Sequence, residues 1–171
     1  MTHHLGARDF QSIREAWSRS WLRIVTDRHE AWAVMPVEEG ITEGGYLLPD
    51  PIHVVTAYNP DCKPHTEAEN QRRHQEMDDW IHDHDLPLWE GTGFASDGGW
   101  SEEGFALVGL SRLEALAVGR RWDQSAIWEW NAEALLTLDC DGSNETSYGW
   151  VRAPLPCRPP FLPGGLIPPC Q

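Results

Sequence analysis

The residues best placed to do chemistry lie in one stretch, Ile52 to Asn70, with the sequence IHVVTAYNPDCKPHTEAEN. The apolar run Ile52 to Ala57 predicts a strand that stops at Tyr58-Asn59-Pro60. A polar loop follows, and Thr66-Glu67-Ala68-Glu69 has the capping-box pattern that opens a helix. Along that helix, to about His84, Asn70, His74, Met77 and Ile81 fall at i, i+4, i+7 and i+11 and share one face. Asn70 and His74 therefore extend an apolar stripe and point towards the Asn59-Pro60 corner. Strand ends that face helix starts are where α/β proteins gather polar side chains for ligands. Asparagine amides offer a neutral donor and acceptor for a base edge, a carboxamide or a peptide group, and histidine moves protons near neutral pH.

Other arrangements compete for a chemical role. His82-Asp83-His84-Asp85 resembles a metal-ligand string, but it ends a helix, where residues two apart point away from each other. Histidines in a last turn also favour the helix dipole, so the string predicts a helix end and no metal. Cys62 lies beside the corner with Lys63 and His65, the setting for an activated thiolate. No G-x-S-x-G elbow, Gly-rich phosphate loop or C-x-x-C pair occurs, and nothing in the sequence calls for a cofactor.

The elements that must position these residues follow from periodicity and turn chemistry. Residues 7–25 predict a helix, on Phe10, Ile13, Trp17, Trp21 and Ile24. Ala31 to Val37 predicts a strand, and 38–51 a loop. Leu86 to Trp89 is extended and closed by Gly91-Thr92-Gly93, with an Asp97-Gly98 turn before a strand from Trp100 to Leu110. Ser111 to Glu114 is a second capping box, opening a helix with Leu113, Leu116, Ala117 and Arg120 on one side. Ser125 to Trp130 predicts a strand, and 134–139 with 148–152 a hairpin around Asp141 to Asn144. The middle reads strand–helix–strand–strand–helix–strand. That order predicts an α+β fold, a ferredoxin-like two-layer α/β sandwich with an N-terminal helix. Residues 1–153 read as a single domain, and 154–171, with seven prolines, as an extended tail.

At 171 residues and 40% hydrophobic, the chain has enough material for one core, with ten tryptophans as bulky core and rim residues. A formal net charge of −14 repels phosphate backbones and argues against nucleic-acid partners. It suits a soluble acidic surface or a patch for a basic protein partner. No apolar run approaches the ~20 residues that cross a bilayer, so no membrane partner is expected. The N-terminus lacks an apolar signal core and Cys62, Cys140, Cys157 and Cys170 show no framework, which predicts a cytoplasmic protein with reduced thiols.

Several pieces of the chain, in order, resemble an uncharacterised bacterial family, domain of unknown function 3293. They are Thr56-Ala57-Tyr58-Asn59-Pro60, Glu69-Asn70 with Arg73 and His74, and Asp97-Gly98-Gly99-Trp100-Ser101-Glu102, then Val108-Gly109-Leu110 and Arg120 to Ile127. The resemblance spans about residues 52–130. It adds Trp100, Glu102 and Gln124 to Asn59 and Asn70 as a recurring polar set, and it implies no activity. In this set Arg73 suits a two-pronged contact with a carboxylate or phosphate, Tyr58 and Trp100 suit stacking, and Glu102 and His74 can move protons. The expectation is a protein that binds a small polar, nucleotide- or amino-acid-like molecule through Tyr58, Asn59, Asn70, Arg73, Trp100 and Gln124. Hydrolytic or transfer chemistry would then fall to Glu102 and His74. The alternative is a non-enzymatic acidic interaction protein. A plainer structural account also exists, with Asn59 bonding its own turn, Asn70 extending the helix cap and Gln124 satisfying local backbone.

Overall fold

The computed structural model describes residues 15–46 and 48–155. Its strands are β1 Ser20–Val25, β2 Ala31–Val37, β3 Thr42–Glu43, β4 Ile52–Thr56, β5 Leu88–Ala95, β6 Ser101–Val108, β7 Ala126–Trp130, β8 Leu135–Asp139 and β9 Glu145–Leu155. The helices are α1 Glu67–Asp83 and α2 Arg112–Arg121, with a short 3-10 turn at Pro60–Cys62. Eight strands follow one another in the order β2-β1-β5-β6-β4-β7-β8-β9, and β9 pairs back onto β2 from Ala31 opposite Leu155 to Val37 opposite Gly149. All eight of these pairings are antiparallel, so the sheet closes into a barrel. The stub β3 runs parallel to β9 beyond the end of β8.

This closure overturns the ferredoxin-like two-layer sandwich. The strand–helix–strand–strand–helix–strand order is present as β4-α1-β5-β6-α2-β7, but those strands form one wall of the barrel. β1 and β2 extend the β5 edge, β8 and β9 extend the β7 edge, and the two outermost strands meet. A twisted sheet that gains enough strands removes its own edges in this way. The predicted helix over 7–25 concealed the extra strands. Phe10 and Ile13 lie outside the described residues, a helical turn covers 15–17, and Ser20–Val25 is strand. Trp21, Leu22 and Ile24 are buried on both faces of the wall, and such a run mimics a helical period.

The other differences have local causes. Gly91 and Gly93 do not close an extended piece; they sit inside β5, because an added Cβ on Gly91 would stand 3.0 Å from the Ala106 nitrogen of β6. In α2 the buried face is Ala115, Leu116, Val118 and Gly119, while Leu113 is 77% exposed. A Cβ on Gly119 would meet Cys140 Sγ at 2.5 Å, so the bare glycine lets the helix lie close on that side. β9 carries Pro154 as far as Leu155, and residues 156–171 lie outside the described residues.

Alternation along the strands divides the apolar residues into an inside and an outside. Leu22, Trp32, Ile52, Trp130, Leu135 and Trp150 fill the barrel. Val55, Phe105, Leu107 and Ile127 point outward and are covered by Met77 and Ile81 of α1 and Leu116 and Val118 of α2. β4 is thus buried on both faces, which is why it reads as a continuous apolar run. Cross-strand register puts Gly93, Gly104 and Thr56 on the inner face at one end of the barrel. Two positions without side chains leave that end open. A Cβ on Gly104 would fall 2.4 Å from the Val55 carbonyl oxygen. Backbone cannot yield cheaply there, so Gly104→Ala is expected to lose about 1–3 kcal/mol in a thermal or urea melt. An unchanged melt would show that β4 and β6 can move apart.

One polar cluster is buried on the outer face, at the start of α2. His53 and Glu129 are cross-strand partners, and His53 Nε2 lies 3.1 Å from Glu129 Oε2. Arg112 grips the same carboxylate with Nε at 2.9 Å and Nη2 at 2.8 Å, and its Nη1 donates to Glu145 at 2.8 Å. Burial alone would raise the Glu129 carboxyl, but the bonds from His53 and Arg112 and the guanidinium charge outweigh it and hold the group down to about 2.

Candidate functional site

The open end of the barrel is where β4 and β5 finish and β1, β6 and β7 begin. A small cleft, open to solvent, lies there. Its wall includes Trp17, Trp100, Trp128, Thr56, Glu102 and Gln124, over a floor of Leu22 and Val54. Glu102 belongs on this inner face because it shares it with Gly104 and Ala106 along β6.

Asn59 is the hub of the rim. It ends the β4 corner in the left-handed region, at φ 46 and ψ 55, a conformation that asparagine tolerates better than most residues. Its Nδ2 donates to Glu102 Oε1 at 2.8 Å. Its Oδ1 accepts from Asn70 Nδ2 at 3.1 Å and from the His65 backbone at 3.0 Å, while its own N–H donates to Asn70 Oδ1 at 3.0 Å. Asn70 is buried at 4% exposure, on the helix face the spacing predicted, together with Met77 and Ile81. The two asparagines thus lock the corner to α1 and aim one amide at Glu102.

Arg73 and Gln124 hold the same loops by their carbonyls. Arg73 donates from Nε to Ala57 O at 2.9 Å and from Nη2 to Trp122 O at 2.8 Å, and pairs with Asp123 at 3.3 Å. These contacts place it as a brace between the corner and the end of α2, not as the anion clamp its chemistry suggested. Gln124 donates from Nε2 to Tyr58 O at 3.0 Å and to Trp122 O at 3.3 Å. With both amide protons engaged, the polar atom it has left for the cleft is its side-chain oxygen.

His74 and Glu102 are not brought together. His74 stacks on Phe105 with ring centroids 4.6 Å apart and interplanar angle 7°, on the outer face of β6, whereas Glu102 faces inward. Residues of opposite parity on a strand point to opposite faces, so no proton passes directly between them. Tyr58 is also turned outward. Its hydroxyl accepts from Gln71 Nε2 at 2.5 Å and lies near Glu103 and Glu67, and burial followed by those two charges pushes the phenol well above its ordinary range. Trp100 is 37% exposed and lies over Gly93, where an added Cβ would touch its ring at 3.5 Å.

Glu102 has an unusual environment for a carboxylate. Burial raises its pKa, the Asn59 bond opposes the rise, and no cation contributes. Cys62 is not an activated thiolate: burial raises it, a bond with Ser125 acts in the other direction, and Glu102 and Asp61 raise it further. His82 and His84 bond the carbonyls of Asp78 and Trp80 in their own helix, and among the described residues no group of three or more His, Cys, Asp or Glu side chains is placed to hold a metal ion.

Sequence reasoning did not single out Trp17, Trp128, Thr56 and the two glycines. Trp128 was accessible from strand alternation in Ala126-Ile127-Trp128, and Trp17 carried no signal, since its place depends on closure of the barrel. It stacks on Trp128 at 5.4 Å.

Fold and site together define a closed antiparallel barrel with a polar, tryptophan-lined mouth. The model of a family described as protein of unknown function (DUF3293) matches residues 55–127, so the resemblance seen in the sequence holds over that segment. No curated protein and no solved structure matches the chain. Among the described residues, no helix is long and apolar enough to cross a membrane.

Proposed function

We propose that the protein binds a small polar molecule in the mouth of the barrel. The observation that carries this reading is a tryptophan-lined cleft with Glu102 and Gln124 on its wall, where Asn59, held in turn by Asn70, bonds a half-buried carboxylate that has no cation beside it. A purely structural Glu102 would be a cost to the fold, because partly burying a carboxylate with one hydrogen bond and no counter-charge is unfavourable. Side chains fill the interior of this eight-stranded barrel, which confines the site to the mouth, and barrel mouths are recurrent ligand sites. Of the two likenesses drawn from the sequence, the base-like part of a nucleotide fits the indoles, whereas a phosphate meets no basic side chain among the described lining residues. The face-to-face separation of His74 and Glu102 removes the proposed acid–base pair, and binding is the function put forward.

Native mass spectrometry of the full chain is expected to show a retained small molecule. Trp100→Ala should weaken that retention by about 1–2 kcal/mol, roughly 5–30-fold, through loss of a stacking face. If the purified chain retains no mass and a metabolite panel leaves the indole signals of Trp17, Trp100 and Trp128 unmoved, the reading fails.

A further inference from the structure

We infer that the ligand of the mouth is an organic cation, an apolar or flat body carrying an ammonium, amidinium or guanidinium head. The inference rests on the proposed ligand site and specifies the charge of what enters it. Three observations support it.

The first is the donor–acceptor balance of the cleft. Glu102 Oε1 takes the Asn59 amide, and Oε2 has no partner among the described residues. Gln124 has spent its Nε2 protons on Tyr58 O and Trp122 O and keeps only an acceptor. Thr56 donates to Glu103 O at 2.5 Å and accepts from the Tyr58 N–H at 3.0 Å. The side-chain donors left on the wall are indole N–H groups. A ligand that satisfies this wall must bring its own hydrogens.

The second is charge. Lys, Arg and His are missing from the described lining residues, and Arg73, the nearest arginine by role, is committed to two carbonyls and Asp123. A carboxylate or phosphate would face Glu102 with nothing to neutralise it, whereas a cation supplies the counter-charge the fold withholds. The net charge of −14 raises the local concentration of cations over the whole surface. The third is the aromatic wall: Trp17, Trp100 and Trp128 line one cleft, and the tryptophan face is the best of the aromatic surfaces for a cation.

Three probes of nearly one shape separate the possibilities: benzamidinium, benzamide and benzoate, titrated into the full chain by calorimetry while the tryptophan indole N–H signals are followed by NMR. Benzamidinium is expected to bind at least ten-fold tighter than benzamide and to shift the Trp100 signal, with benzoate showing no saturation. Glu102→Gln, which keeps shape and an acceptor for Asn59, should remove the preference for benzamidinium over benzamide. Benzamide binding the mouth as tightly as benzamidinium, or benzoate saturating it, would overturn the cation inference and leave the ligand site standing. A ten-fold preference that survives in Glu102→Gln would overturn it too. Should none of the three move the Trp100 signal at millimolar concentration, the cation inference falls, and the mass-spectrometric test decides the ligand site independently.

Discussion

Glu129→Ala is expected to cost the fold about 3–5 kcal/mol, the range for removing one member of a buried ion pair. In a chain of this length that is a fall of roughly 6–20 °C in melting temperature. The expectation follows from what is left behind. His53, at 0% exposure, loses its only partner among the described residues, and its Nδ1 is already buried without one. Arg112 loses both nitrogens of its grip, although at 44% exposure its side chain can turn to water, which favours the lower half of the range. The acid limb of stability should carry the same signature. The folded carboxyl sits at about 2 against an ordinary value of 4.5. Its stabilisation, about 3 kcal/mol, is therefore present above pH ~4.5 and lost as pH falls towards ~2. Glu129→Gln should flatten that limb. If urea melts of the wild type and Glu129→Gln keep a constant gap from pH 7 to pH 2.5, the carboxylate is not the source.

The second large effect is expected at Asn59. Asn59→Ala removes the amide that meets Glu102 and the oxygen that receives Asn70 and His65, and it leaves an alanine at φ 46. Unsatisfied buried groups and the left-handed backbone together predict a loss of about 3–4 kcal/mol. Asn59→Gly loses the same bonds without the backbone strain and should recover about 1 kcal/mol of it. Asn59→Asp is the more informative change. It keeps an acceptor for Asn70 and sets a second carboxyl against Glu102, so one of the two must hold a proton. A carboxyl raised in the folded state stabilises the fold as pH falls through its value, so this variant should gain on the wild type in acid. Equal pH profiles for the two proteins would mean that residue 59 does not face Glu102.

The sequence held much of the local structure and little of the global closure. The β4 corner, the α1 face with Asn70 and Met77, the Ser111 cap and the Asp141 turn were legible because each depends on residues close in sequence. The barrel depends on β1 being a strand and on β9 reaching β2, and neither leaves a local mark: Trp17, Trp21 and Ile24 satisfy a helical period, and Pro154 resembles the start of a tail. The site shows the same division. Helix phase brought Asn70 to Asn59, and the family segments supplied Glu102 and Gln124. The partners that decide each role were out of reach, because Arg73 braces carbonyls and His74 stacks on the far side of β6 only once strand parity is known.

The seam between β2 and β9 has a kinetic consequence. Its paired residues, Ala31 with Leu155 through Val37 with Gly149, are separated by most of the chain, so joining them closes the largest loop in the fold. Pairings of such high sequence separation form slowly, after local hairpins such as β5–β6 and β8–β9. Until the seam zips, β2 and β9 each present a bare strand edge, open to pairing with another copy of the chain. The segment matching the family model, 55–127, contains neither of those strands. Orderly assembly of the mouth thus depends on strands from outside the family segment arriving at each other before they meet a neighbour.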